Sequence, residues 1–460
     1  MTRDDTGYPR RKTQLAGDES LLWNWAQNET IGQRAAVTAP ASEAELQAIV
    51  ARTSGKIRVM GSKMSSGRML KLMAPGDVLL DLSQLAGLIA IDDDSATFAA
   101  GTPLHEVYEV LSAVGRMLPS SPGVIASQTL AGALATGTHG QGLAQSTIAD
   151  EALRIRMVLA DGSVAEFDRD HPSFNAVQLG LGTLGVVTQV TLRTQPSRIY
   201  TCFKNAVSAD SLGEDLTDWN QNFALSKAWW FPNENQVHVW SAREANEEET
   251  ARYHANGDEL IAFENTSDAM NETIDQTLEH MRSDTQILDE NGKPFRTVTR
   301  FKDFSDVTGD IYQVFCRGIA TPQINVEIGI PLARAAKVIE KIKHWHRETQ
   351  PHMHYPIILR CTGPSTSWLS PSAGADTCFF GFVVYYAEDG SLSEEGVNFL
   401  IAVEKLLAEE GGRPHWGKYF DASLYDWAAL YPQWAAFKAV RDTLDPQHKF
   451  SNAFTAELFS

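Results

Sequence analysis

The sequence predicts an α+β chain made of two domain-sized units. Its 460 residues exceed what one hydrophobic core usually organises, taking ~150 residues per core. Strand-like runs in the first half are short, helices are few, and no G-x-G-x-x-G run follows a strand and opens a helix, which argues against a doubly wound nucleotide fold. Composition changes after about residue 200, where the aromatic run Trp229-Trp230-Phe231-Pro232 introduces a second set of strands and helices. The expected boundaries are 15–195 for the first unit, 196–425 for the second, and 426–460 for a final segment free to return to the first.

In the first unit, Ser42 with Glu45 three residues on has capping-box spacing, and Leu46, Ile49 and Val50 repeat at helical intervals. Lys56–Met60 and Val78–Leu82 read as strands, the second after the Pro75-Gly76 turn. Leu88–Ile91 and Thr97–Ala100 flank the acidic turn Asp92–Asp94 as a hairpin. Thr102 and Pro103 predict a cap and a proline at the first helical position, opening a helix of about 13 residues that ends near Gly115. Leu153–Leu159 and Val164–Phe167 flank Asp161-Gly162, a strong hairpin turn, and Gly185–Thr194 alternates as another strand.

In the second unit, Gln236–Trp240 precedes a polar, acidic stretch, 243–290, whose scattered apolar residues suggest helical surface insertions. Asn325–Ile330, Tyr355–Cys361 and Thr377–Tyr385 are strand candidates, and Leu332–Trp345 a helix. Leu392–Gly411 places Phe399, Leu400, Val403 and Leu406 on one helical face. A last helix lies within 431–448 and stops at Asp445-Pro446.

Several function classes are excluded at this level. With 39 basic against 58 acidic residues the net charge is -19, a field that repels a phosphate backbone, so no nucleic-acid partner is expected. No run approaches ~18 consecutive apolar residues, so no membrane span is expected. The polar start, with Arg3, Asp4, Asp5, Arg10, Arg11 and Lys12, lacks the apolar stretch of a secretory signal. Cys202, Cys316, Cys361 and Cys378 are widely spaced and form no close metal-binding pairs, so no metal and a reducing, cytoplasmic setting are expected.

Three glycine-rich loops carry the functional signal. Gly61-Ser62-Lys63-Met64-Ser65-Ser66-Gly67 directly follows a strand, and its small residues let backbone N–H groups crowd together as in a phosphate cradle. Read by itself it fits an ordinary surface turn as well. Ala131–Gly142, with Gly132, Thr136, Gly137, Thr138, His139 and Gly140, is too lean in side chains to pack as a core and suits a backbone pressed against a large flat ligand. His139, taken alone, reads as a satisfied structural histidine rather than a catalytic one. Gly180-Leu181-Gly182-Thr183-Leu184-Gly185-Val186 precedes a strand, again a place for close backbone approach. Together the three imply a long, phosphate-bearing, planar ligand.

The order strand–GSKMS, GALATGTHGQG, LADGS and LGTLGVVTQV resembles the FAD-binding domain of the vanillyl-alcohol-oxidase-like flavoproteins. Within that family the chain is most similar to the sugar-1,4-lactone and alditol oxidases. Trp23-Asn24-Trp25-Ala26-Gln27-Asn28, Trp368-Leu369-Ser370-Pro371, Arg413-Pro414-His415-Trp416-Gly417-Lys418, and Leu444-Asp445-Pro446 followed by Phe450-Ser451-Asn452 carry the narrower likeness. The resemblance implies a two-domain flavoprotein: an N-terminal FAD-binding domain of the PCMH type, and a C-terminal substrate domain built on an antiparallel sheet with helices. FAD is then the expected cofactor, held by Gly61, Ser62, Lys63, Met64, Ser65, Ser66, Gly132, Thr136, Gly137, Thr138, His139, Gly140, Gly182, Gly185 and Val186.

Two departures from the family pattern matter. The first loop usually reads G-x-G-H-S, with the histidine often bonded to the flavin; here Lys63 replaces the second glycine and Met64 the histidine. A thioether has no replaceable proton, so the resemblance implies non-covalent FAD. Lys418 matches the lysine of the HWGK motif, which projects into the site near substrate and flavin and would stabilise negative charge there. Arg360 matches the arginine of an E-x-R strand pattern, but Ile358 stands at the glutamate position, removing an acceptor for a polyol hydroxyl. Glu327 matches an acidic strand position that fits a structural role at least as well as a catalytic one. His415 is a candidate polar contact. The lost carboxylate suggests either a less polar substrate or one oriented by Arg360 and Lys418 through a negative group; a sugar lactone stays possible if another side chain supplies the contact.

The reaction implied is oxidation of an alcohol or sugar-lactone-like small molecule by hydride transfer to flavin N5, with oxygen or another acceptor reoxidising the flavin. Two alternatives are a flavin dehydrogenase with a non-oxygen acceptor and a less polar alcohol or amine substrate, and a non-catalytic FAD-binding protein.

Overall fold

A computed structural model describes residues 20–263, 305–316, 323–386 and 392–460, together with the short strands Ile287–Leu288 and Pro294–Phe295. Of the insertion expected at 243–290, the helix Glu247–Ala255 is described, capped by Asn246, and 264–286 lie outside the described residues.

Two larger sheets build the first unit, beside two-stranded pairs. Val37–Thr38, Val78–Asp81 and Ile57–Met60 pair in parallel as a three-stranded sheet. A five-stranded antiparallel sheet has the spatial order Val164–Asp168, Ala152–Val158, Val186–Arg193, Ser95–Ala99, Leu88–Ile91. The helix Glu43–Arg52 starts where its sequence says it should, with the Ser42 side chain accepting from the Glu45 amide at 3.2 Å. Its apolar stripe of Leu46, Ile49 and Val50 packs with Ile57 and Leu80 of one sheet and Val158 and Val186 of the other, so one buried cluster joins the two sheets.

The second unit is a nine-stranded antiparallel sheet in the order Ile261–Phe263, Asp306–Asp310, Ile199–Ser208, Gln236–Glu244, Leu225–Phe231, Ile357–Thr362, Thr377–Tyr385, Gln323–Pro331, Arg413–Pro414. Alternation along Gln323–Pro331 assigns its two faces. Val326, Ile328 and Ile330 lie in one apolar cluster with Val338, Ile339 and Ile342 of the helix Leu332–Thr349 and with Phe399, Leu400 and Val403 of the helix Glu394–Glu409. The opposite face carries Glu327, and its Trp229, Phe231 and Trp240 belong to one large buried cluster that also holds Leu130 and Leu134 of the first unit. The sheet is thus covered on both sides, which explains why Leu225–Phe231 and Thr377–Tyr385 are buried at every residue.

The chain end lies against the first unit. Ile57 N donates to Lys449 O at 2.9 Å, and Asn452 Nδ2 donates to Arg68 O and Met69 O at 2.9 and 3.1 Å. Among the described residues no helix is long and apolar enough to cross a membrane.

Two local expectations are corrected. The helix expected from Thr102 for about 13 residues is Leu104–Ser112, 9 residues long, with Pro103 as its N-cap. Thr102 does not cap it: the hydroxyl donates to Ala99 O at 2.6 Å and accepts from the Gly87 amide at 2.8 Å. The second glycine-rich segment is not loop throughout. Leu130–Thr136 is a helix, because Thr129 accepts from the Gly132 amide and Gly137, at φ 69°, closes it in the left-handed conformation. A Cβ on Gly137 would also lie 2.8 Å from Leu179 Cδ1. Gly137→Ala is therefore expected to cost about 1–2 kcal/mol from backbone strain, more with the clash, read as a lowered midpoint in chemical unfolding.

Candidate active site

The glycine-rich segments line one cleft of about 340 Å³, within the ~300–1,000 Å³ span of ligand pockets. Gly61, Ser62, Lys63, Met64 and Ser65 form one wall, Gly132 and Thr136 another, and Gly182 and Gly185 a third. Gly61 is pressed against the Thr129 cap of the Leu130–Thr136 helix, where any side chain would collide. Lys63, at the family's second glycine position, keeps a left-handed φ of 59°. Asparagines from the Trp23–Asn28 motif hold this loop in shape: Asn24 Nδ2 donates to Ser65 O at 3.0 Å and Asn28 Nδ2 to Ser66 O at 2.9 Å.

Arg58 lies at the cleft floor with 3% exposure. Its guanidinium donates to Gly182 O, Leu181 O and Phe450 O at 2.8–2.9 Å, while Nε has no partner among the described residues. Burial pulls this group down to about 10. A buried cation beside glycine-rich backbone, with apolar walls such as Leu134, Met157 and Leu184, fits a ligand with anionic groups between flat ends. FAD has that form.

Beside the cleft lies a buried charge cluster. Thr136, which lines the cleft, borders Gly417, and Ser66 N donates to Gly417 O at 3.1 Å. Glu327, 4% exposed, is ion-paired with Arg360 and lies 4.0 Å from Lys418 Nζ and 3.6 Å from His139 Nε2. Burial by itself would raise the Glu327 carboxyl, but neighbouring positive charge, that of Arg360 foremost, holds it well below the ordinary range. Desolvation lowers Lys418, lowers His139 well below its ordinary value, and brings His415 down to about 4. Both imidazoles are therefore neutral near pH 7.

Strand register explains how distant residues meet. Paired residues of an antiparallel sheet share a face. One row runs Trp229, Ile358, Gly381, Glu327, and the next runs Lys227, Arg360, Phe379, Gly329. Glu327 reaches from its row to Arg360 in the next, across the intervening strand. Phe379 stacks on His139 with ring centroids 3.7 Å apart. His415 is fixed to the same edge, its amide donating to Glu327 O at 2.8 Å. Trp416 is fully buried and donates to Leu369 O at 2.6 Å, which anchors the segment bearing Lys418.

Not every residue expected to hold the cofactor lies in the cleft lining. Ser66 is tied to Asn28 and Gly417 beneath it. Gly137 closes a helix, Thr138 donates to Gln128 Oε1 at 2.6 Å, and Gly140 packs on Ser121. His139 faces Glu327, and the Val186 side chain is in the core between the sheets while Val187 lines the cleft. Lys418, Arg360 and His415 come together around Glu327. Arg58 was missed, although a charge between Ile57 and Val59 in an apolar strand was a signal. His139, Glu327 and His415 place three ligand-type atoms within 4.8 Å of one another. The Gly417 amide occupies the His415 Nδ1 lone pair at 2.9 Å, and two cations already flank Glu327, so the cluster suits a hydroxyl or an anion better than a metal ion.

The sequence profile of the D-arabinono-1,4-lactone oxidase family matches residues 190–458. The chain belongs to this family. A FAD-binding domain profile matches residues 34–168, the part that supplies most of the cleft, and the chain is an FAD-dependent oxidoreductase. Among relatives of this lactone oxidase family member, an L-gulono-1,4-lactone dehydrogenase from Mycobacterium tuberculosis is 28% identical over 95% of this chain and 98% of its own length. An alditol oxidase from a Streptomyces species is 26% identical over 95% and 99%. A cholesterol oxidase from Brevibacterium sterolicum has the same fold, with a TM-score of 0.73 at 14% identity, covering 98% of this chain and 100% of that one.

Glu327→Gln is expected to cost about 3–5 kcal/mol, because two cations lose the carboxylate between them. With the folded pKa depressed, that contribution is complete above the unfolded value of ~4.3 and fades as pH falls toward the lower folded value. Urea unfolding at ~pH 6 and ~pH 3 should therefore separate wild type and variant more at the higher pH.

Proposed function

We propose that the chain oxidises a CH–OH carbon of a small alcohol of the lactone or alditol kind, with FAD held without a covalent bond through Met64. The observation that carries this reading is the Glu327 cluster beside the cleft. It offers Arg360 and Lys418 as donors to a substrate oxygen, and a dry, fixed setting in which developing negative charge is stabilised strongly. When bound, FAD supplies the hydride acceptor. The relatives' names, an alditol oxidase and a lactone dehydrogenase among them, support a hydroxylated substrate and leave oxygen and other acceptors both open.

Ile358 modifies the substrate reading. Its neighbours in register are Trp229 and Gly381, so this side of the site is apolar and offers no carboxylate for a second hydroxyl. Each buried hydroxyl left unmatched costs about 1–3 kcal/mol, which favours substrates with fewer hydroxyls on that side over fully hydroxylated alditols. A cytoplasmic location is part of this reading, in line with the widely spaced cysteines.

Anaerobic mixing with a panel of sugar lactones, alditols and less polar alcohols should bleach the flavin absorbance for at least one class. No bleaching by any alcohol would remove the reading. In the reducing class, Lys418→Met is expected to slow reduction by roughly 10²–10³-fold with FAD retained, in line with loss of one oxyanion donor; an unchanged rate would take Lys418 out of the site. Met64→His should permit flavin to stay attached through acid denaturation, which wild type should release completely.

A further inference from the structure

His139 presents a buried ring nitrogen as a bare acceptor. Its Nδ1 lies 3.2 Å from the Gly140 carbonyl oxygen, which can only accept, so the proton is assigned to Nδ1 and the lone pair to Nε2. Nε2 is 3.6 Å from Glu327 Oε1, another acceptor, and no donor among the described residues hydrogen-bonds to it. Stacking on Phe379, with ring planes 22° apart, holds the imidazole in this orientation. Two buried acceptors facing one another are unfavourable unless a donor comes between them.

The other half of the cluster has the opposite polarity. The Gly417 amide donates to His415 Nδ1 at 2.9 Å, which puts the His415 proton on Nε2. His415 Nε2–H, the Arg360 guanidinium and the Lys418 ammonium are all donors. One group answers both halves: an alcohol hydroxyl, with its hydrogen toward His139 and Glu327 and its oxygen toward the three donors.

We propose that His139 is the catalytic base, its Nε2 touching the substrate hydroxyl and taking its proton. This rests on the alcohol-oxidation reading above. The O–H bond breaks and its pair stays on oxygen to become the second C=O bond, while the C–H pair leaves as hydride to the bound flavin. The proton forms a His139 imidazolium beside the Glu327 carboxylate, which stabilises it. The charged and titratable groups facing His139 are Glu327 and Arg360 from the sheet and His415 from the Arg413–Lys418 segment, with Lys418 on the far side of Glu327. Burial first, then the Arg360 charge, keeps the ring neutral and the lone pair available far below the ordinary imidazole value of about 6.5.

The test uses holoenzyme and His139→Gln and His139→Ala, with FAD content measured first. His139→Gln with full FAD should be reduced roughly 10²–10⁴-fold more slowly than wild type. Free imidazole should restore part of the rate in His139→Ala, which a merely structural role would not allow. Nitrogen NMR of histidine-labelled wild type, assigned by loss in His139→Gln, should show the Nδ1–H tautomer. FAD-replete His139→Gln reduced at the wild-type rate, no imidazole rescue, or an Nε2–H tautomer would each overturn the proposal. Wild type that no alcohol reduces would instead mean that the alcohol reading has failed.

Discussion

A carboxylate buried to 4% exposure cannot remain ionised without charged partners, and the site is organised around meeting that condition for Glu327. Its partners come from separate parts of the chain: Arg360 two strands away in the sheet, Lys418 after the last strand, and His139 from the first unit. The cluster joins the glycine-rich first unit to the nine-stranded sheet beside the cleft. Because Arg360 and Lys418 share one anion, both are held in position before any substrate oxygen arrives, which is the condition for electrostatic stabilisation without reorganisation.

The backbone serves the same arrangement through missing side chains. Gly123, at φ 72°, lets the Arg360 guanidinium lie against the chain. Gly61 allows the first loop to touch the Thr129 cap. The Arg58 side chain links the Leu181–Gly182 turn to Phe450, so the cleft floor and the chain end are one structure. Cys361 and Cys378, far apart in sequence, are direct cross-strand partners behind the site and are free thiols.

Local rules made most of the fold legible. Capping at Ser42, the Asp161-Gly162 turn and the alternation of Val186–Arg193 act within a few residues, and the elements appear where those rules put them. Thr102 misled because its hydroxyl finds backbone partners at Ala99 in the preceding turn and at the more distant Gly87, a choice the sequence window does not reveal. The segment 130–136 looked like loop because alanine and glycine were read for leanness, although Thr129 and Gly137 are ordinary helix ends. In the candidate site, Lys418, Arg360, His415 and Glu327 were all picked out through motifs, but that Glu327 is the common partner of the other three was not legible. That Glu327 gathers them depends on the register of three strands, and no spacing in the sequence encodes which residues share a row.

The most direct measurement is the ionisation of Glu327 itself. Isotope-edited infrared spectroscopy of glutamate-labelled protein, with the band assigned by its loss in Glu327→Gln, would follow the carboxylate from ~pH 8 down to ~pH 4, just below the unperturbed value of ~4.3. A carboxylate band that persists unchanged over that span is expected, as the surrounding cations require. A band that titrates at the ordinary glutamate value, or is already protonated at neutral pH, would contradict a site organised around this anion.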